Sequence, residues 1–182
     1  MSQSAEPEAF DVPGLGKLTR DERFGWYRSD PVFVRILGRD CRFILDGYIE
    51  DDRKDEFHSA IANFLEVSPT VLRDADAPLS RYYKDHEPYW VGRGQAPLRR
   101  AEELWAHVVL GHEPMVGRRS SGDRAIYISV ECECSWEIEH GLQLVFRNGL
   151  RISKLGEYDG HLTNADAYGD PRLEDVIYRS IA

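Results

Sequence analysis

The stretch Ala125–Asn164, AIYISVECECSWEIEHGLQLVFRNGLRISKLGEYDGHLTN, decides how this chain is read. From Ala125 to Trp136 apolar and polar residues alternate. Ile126, Ile128, Val130, Cys132, Cys134 and Trp136 fall on one face, and Tyr127, Ser129, Glu131, Glu133 and Ser135 on the other. A period of two is that of a strand with one face buried and its charges in water. Glu137–Gly141 interrupts the pattern, Leu142–Arg147 resumes it, and Asn148-Gly149 is a strong short hairpin signal. Three antiparallel strands in meander order follow. A two-residue turn at Asn148-Gly149 sets Arg147 opposite Leu150, Val145 opposite Ile152 and Leu142 opposite Leu155. Extending that ladder puts His140 opposite Glu157, with Asp159 and His161 just beyond.

Working outward, the N-terminal third also reads as strands. Gly16–Arg20 and Phe24–Arg28 flank a turn at Asp21-Glu22-Arg23, and Pro31–Leu37 and Cys41–Leu45 flank Gly38-Arg39-Asp40. The period then changes. Phe57, Ala60, Ile61, Phe64 and Leu65 recur at helical spacing behind the acidic start Glu50-Asp51-Asp52, which complements a helix dipole. Ser68-Pro69 opens a second helix expected to end or kink at Pro78, with a turn or two more over Leu79–His86. Glu87–Pro97 reads as a loop, Leu98–Leu110 as a third helix ended by Gly111, and Asp170-Pro171 as the start of a short C-terminal helix. The order is α+β: N-terminal antiparallel strands, central helices, a C-terminal three-stranded antiparallel meander and a short final helix. Residues 1–9 are expected to be a flexible tail, and 10–182 one domain, because 182 residues suit a single core better than two.

Composition narrows the function classes. The net charge of −9 keeps nucleic acid and anionic membrane at a distance and would suit a basic protein partner. No apolar run approaches a membrane span, and the polar N-terminus carries no signal-peptide pattern. Three cysteines, Cys41, Cys132 and Cys134, are a poor disulfide framework, so a reducing cytoplasmic setting is expected.

The candidate chemistry gathers at one end of the meander. Glu137, Glu139, His140, Glu157, Asp159 and His161 offer mixed oxygen and nitrogen ligands for a divalent ion, although no dedicated metal-site spacing is present. Residues of these types also tie turns to their own backbone, and that structural reading is slightly favoured. Cys132-x-Cys134 reads as core rather than as ligands, since the same face carries Ile and Val. Glu137 and Glu139 are too close in one turn for paired acid–base work across a substrate. No phosphate loop, dinucleotide fingerprint or nucleophile elbow occurs. Arg99, Arg100, Arg118, Arg119 and Arg124 are expected to pair with Glu102, Glu103 and Asp123. Trp26, Tyr27, Tyr89 and Trp90 read as core and loop anchors, or alternatively as an exposed aromatic patch for a partner.

The run Glu131–Leu142 (ECECSWEIEHGL), followed by Tyr158–Asn164 (YDGHLTN), resembles the signature of a family of uncharacterised bacterial proteins, a domain of unknown function. Asp11–Leu18 and Ala60–Leu65 resemble it too. The resemblance implies a bacterial cytosolic protein and carries no assigned activity, cofactor or catalytic residue. Two functions are therefore expected to compete. One is a non-catalytic, protein-binding domain, immunity-type included, for a basic partner. The other is a metal-assisted hydrolase, or another small-molecule enzyme, with its site at the 137–141 and 158–164 turns.

Overall fold

The computed structural model describes residues 8–180. Six short strands come first: β1 (Ala9–Val12), β2 (Gly16–Arg20), β3 (Tyr27–Ser29), β4 (Val32–Val34), β5 (Arg39–Cys41) and β6 (Ile44–Asp46). Helix α1 (Lys54–Glu66), a 3-10 segment over Pro69–Ala75, α2 (Asp76–Gly92) and α3 (Ala101–Trp105) follow. The chain returns to strands with β7 (Val108–Val109), β8 (Met115–Arg118), β9 (Ile126–Cys134), β10 (Leu142–Arg147) and β11 (Arg151–Gly156). It then forms α4 (Asn164–Tyr168) and a 3-10 turn at Pro171–Leu173. The fold is α+β, built on a nine-stranded sheet in the order β1-β2-β3-β6-β8-β9-β10-β11, with β7 added beside β9 and β4–β5 as a separate hairpin. Every pairing is antiparallel except β6 with β8, where Ile44 meets Met115 and Leu45 meets Val116.

One core runs between the sheet and the helices. Phe57, Ile61 and Phe64 of α1 meet Phe43 and Phe146, with Phe64 edge-on to each. Tyr82 and Tyr83 of α2 pack edge-on against the fully buried Trp136. The tip of the β10–β11 hairpin is seated on α1. Asn63 donates from its side-chain amide to the Asn148 carbonyl at 3.0 Å. A Cβ on Gly149 would come within 2.1 Å of the Ala60 carbonyl oxygen, so only glycine fits there.

That seating changes the expected register. Arg147 stands opposite Arg151, not Leu150, and Phe146 opposite Ile152. Ser153 is then extra, and beyond this bulge Val145 faces Lys154 and Leu144 faces Leu155. The bulge lets Ile152 and Leu155, three residues apart, both enter the core, which regular alternation forbids. It also turns Lys154 to the other face of the sheet. His140 accordingly meets Tyr158, whose N–H donates to the His140 carbonyl at 3.4 Å, rather than Glu157.

Other expectations are corrected where packing overrides local signals. Pro78 does not end a helix. It sits in the first turn of α2, where a missing N–H costs nothing. The expected loop 87–97 is helical as far as Gly92 despite Pro88. Trp90 anchors this last turn in the core, its Nε1 donating to the Ala96 carbonyl at 2.8 Å. The expected helix 98–110 shrinks to α3, because Val108 and Val109 pair with Cys134 and Glu133 as β7. The expected strand Cys41–Leu45 is divided between β5 and β6, which belong to different sheets. The proposed tail 1–9 lies outside the described residues up to Pro7, while Ala9 already pairs with Thr19 in β1.

The strand β9 is half-buried only in its second half. Over Ile126–Val130 both faces are covered, and from Glu131 to Trp136 burial alternates as the sequence implies. Four of the expected arginines are paired, though mostly not with the expected partners, while Arg124 contributes its backbone carbonyl to Arg118. Arg118 holds Asp51 and Glu56, while Arg119, itself buried, holds Asp166 and Glu174 as well as Asp123. Arg99 pairs with Glu87 and Arg100 with Glu103.

Candidate functional site

A cleft of about 810 Å³ opens beside the second half of β9. Its back wall is the strand itself, whose alternation turns Glu131 and Glu133 outward and Cys132 and Cys134 inward. The chain from β7 to β8 forms a second side. Gly111 crosses so close to β9 that an added Cβ would lie 1.8 Å from the Glu131 carbonyl oxygen. Trp26 comes from the connection between β2 and β3 and Arg39 from β5, and the Glu137–Gly141 turn and Tyr158 complete the lining.

The charge of this cleft is lopsided. Glu113, Glu131, Glu133, Glu137 and Glu139 line it with one arginine, Arg39, and with His107, His112 and His140, and Glu113 is paired with Arg28 at 3.3 Å. Arg39 donates to the Leu110 carbonyl at 2.6 Å and so fixes the loop between β7 and β8. Interleaved with these charges are Trp26, Val109, Ile138 and Tyr158, which are exposed despite their size.

The six candidate residues do not converge. Glu137, Glu139 and His140 lie together, with one ligand atom from each within 4.8 Å of the others. Glu137 is buried, and its two carboxylate oxygens accept the backbone N–H groups of Glu139 at 3.0 Å and His140 at 2.7 Å. It ties the turn to itself, while Glu139 and His140 are left exposed to the cleft. Asp159 and His161 form a separate group. Asp159 Oδ1 accepts the His161 N–H at 2.8 Å and takes a 2.5 Å bond from the ammonium of Lys154. Glu157 turns away to His86, 3.4 Å from its Nε2.

Lys154 lies outside the residues that the sequence pattern singles out. Its side chain is 2% exposed, and it lies in a polar line on the face opposite the core. Gln143 Nε2 donates to the Ser129 hydroxyl at 2.8 Å, Lys154 Nζ donates to Gln143 Oε1 at 2.6 Å, and Asp159 closes the line. Burial favours the neutral amine and lowers its pKa, while Asp159 works in the opposite direction. A lone lysine inside an apolar strand was the available signal, but without the bulge its face could not be read.

The three cysteines are buried and unpaired. Burial pushes the Cys132 and Cys134 thiols up to about 12 and Cys41 to about 11, so none is a ready nucleophile. The aromatic residues divide. Tyr27 and Trp90 are core, Trp26 lines the cleft stacked on Phe24, and Tyr89 is exposed beneath the Arg93 guanidinium.

An α+β sheet protein with an acid-lined, partly apolar cleft is what these elements define. The chain belongs to the family described as a domain of unknown function (DUF6985), whose match spans residues 14–162 and so includes every strand from β2 to β11. No curated protein and no solved structure gives a match. Among the described residues, no helix is long and apolar enough to cross a membrane.

Proposed function

We propose that the cleft is a docking site for a basic, partly apolar segment of another protein, and that it performs no chemistry on that segment. One observation carries this reading. A single concavity gathers five glutamates against one arginine, together with four of the ten exposed large hydrophobic side chains among the described residues. Exposed apolar side chains mean little when scattered, but gathered in one concave place they mark contact surfaces. Carboxylates around them attract a basic partner and speed its encounter, and the net charge of −9 acts in the same sense. Trp26, with its ring stacked on Phe24, is the natural anchor. Neutralisation of a basic toxin in a bacterial cytosol is the specific form this reading takes.

Fluorescence anisotropy with a labelled oligo-arginine peptide tests it. Binding that weakens with salt, and by about tenfold or more in the Glu131→Lys/Glu133→Lys variant, supports the docking site. An absence of binding, or binding indifferent to that variant, overturns it.

A second reading, metal-assisted hydrolysis, rests on the proximity of Glu137, Glu139 and His140. These three would supply oxygen and nitrogen ligands to a divalent ion, which would activate a water. Both Glu137 oxygens already serve backbone amides, which supports a structural clasp instead. Stoichiometric metal in the purified protein, lost with thermal stability on chelation, would put this second reading ahead.

A further inference from the structure

The turn 157–159 stands between two cavities. Tyr158 lines the acidic cleft, whereas Glu157 and Asp159 line a small cavity of about 50 Å³ that also contains Lys154, Tyr82 and Tyr178. Successive side chains thus alternate across a thin wall, and the two that face away from the cleft are each held by a partner. Glu157 is held by His86 on α2 and Asp159 by Lys154 on β11. The holds are unequal. Glu157 is 44% exposed and its partner is a histidine, while Asp159 meets a buried ammonium at 2.5 Å. Lys154 is in turn fixed by Gln143, and Gln143 by Ser129, which lines the cleft from below. The polar line therefore begins at the cleft, passes under the sheet face and returns to the cleft through the turn that carries Tyr158.

We propose that Lys154 is a positioning residue for the cleft, latching the 157–161 turn through Asp159 so that Tyr158 is held in the cleft wall. Lys154 does not line the cleft, and it acts only through that turn. A buried ammonium needs its carboxylate, so the turn cannot swing away without stranding a charge. An apolar side chain at position 154 would fill the same space without imposing any position on the turn. The proposal deepens the docking reading, because it names what shapes one wall of the docking site.

The decisive variant is the double neutral one, Lys154→Met/Asp159→Asn. Removing both charges leaves no stranded ion and keeps the protein folded even if Lys154→Met or Asp159→Asn alone does not. Two measurements are made on it. In native-state hydrogen exchange, the amides of Tyr158 and His161 within the 158–161 turn are expected to exchange about tenfold faster than in the wild type, with β10 amides unchanged. In anisotropy with the oligo-arginine peptide, affinity is expected to fall about fivefold, and adding Tyr158→Ala to the double variant is expected to cost nothing more. Lys154→Arg, which keeps the charge and its reach to Asp159, is expected to retain most of the affinity. Unchanged exchange at 158–161 overturns the latch whether or not any peptide binds. Wild-type affinity in the double variant, or a Tyr158→Ala effect that adds in full, overturns it as well. If the wild type fails to bind the peptide, the docking reading falls, and the exchange measurement still decides the latch.

Discussion

Two turns close the same end of the meander, and they use similar residues in opposite ways. In the 137–141 turn the carboxylate of Glu137 serves groups of its own turn, the amides of Glu139 and His140 and the nearby His140 ring, and Glu139 and His140 face the cleft. In the 157–161 turn Asp159 serves its own backbone and a buried lysine together, so the turn is bound into the interior. Both share a carboxylate followed by a glycine and a histidine nearby, and composition alone does not separate them. What separates them is the strand beside each. Opposite the first turn the outer face of β9 carries glutamates, while behind the second the bulge at Ser153 has turned a lysine to the face away from the core, where Asp159 meets it.

Asp159→Ala leaves the Lys154 ammonium buried without its carboxylate and is expected to cost about 3 kcal/mol. That is the low end for a broken buried pair, because Asp159 keeps partial exposure. Urea unfolding measures it, and a cost below about 1 kcal/mol would mean that Lys154 finds water or loses its proton instead. Glu137→Ala removes a charged acceptor from two backbone amides and is expected to cost about 2 kcal/mol by the same measurement. If the two costs came out equal, the contrast between a self-contained turn and a latched one would disappear.

A third test asks whether either turn governs acid stability. Among the carboxyl groups held below the usual range are Asp51, by its hydrogen bond from Arg118, and Asp166, by its hydrogen bond from Arg119. Their unfolded forms would take up protons near pH 3.9 while the folded forms remain ionised. The unfolded chain therefore binds more protons there, and the stability these pairs contribute is lost as pH falls below about 4. Thermal midpoints recorded through that range should fall less steeply in Asp166→Asn than in the wild type. A slope changed instead by Glu137→Gln would move the acid response into the cleft turn. Smallest of all, Glu139→Ala and His140→Ala should each lie within about 0.5 kcal/mol of the wild type in stability, as exposed residues do.

How much of this was legible in the sequence depended on whether the cause was local. The strand β9 and the Ser68-Pro69 cap are local effects and formed where they were expected, although the cap opens a 3-10 segment and Glu50-Asp51-Asp52 lies ahead of α1, whose first turn carries Asp55 and Glu56 instead. The Asn148-Gly149 turn was equally visible, with both residues at positive φ, but its register was not. That register answers to the fit of Gly149 against Ala60, a contact between distant parts of the chain. The same applies to α3, which stops early because β9 offers Val108 and Val109 an edge to pair with. For the candidate site, the residue types at the sheet end were readable, but their grouping was not. One slip of register and one bulge decide whether Glu157 meets His140 or His86, and whether Lys154 faces the core or a carboxylate.

The parallel pairing of β6 with β8 has a consequence for how the molecule comes together. Strands β9, β10 and β11 are joined by short turns and can pair early, because closing a short loop costs little chain entropy. Ile44 and Met115 are separated by all three central helices and must find each other across the longest connection in the sheet. Both residues line the cleft. Pulsed-labelling exchange should accordingly show β9–β11 protected before Ile44–Asp46, and the reverse order would exclude this sequence of events. On that timetable the cleft has no existence in a half-folded chain. It is the last surface to be completed, so a partner that reads it recognises only finished molecules.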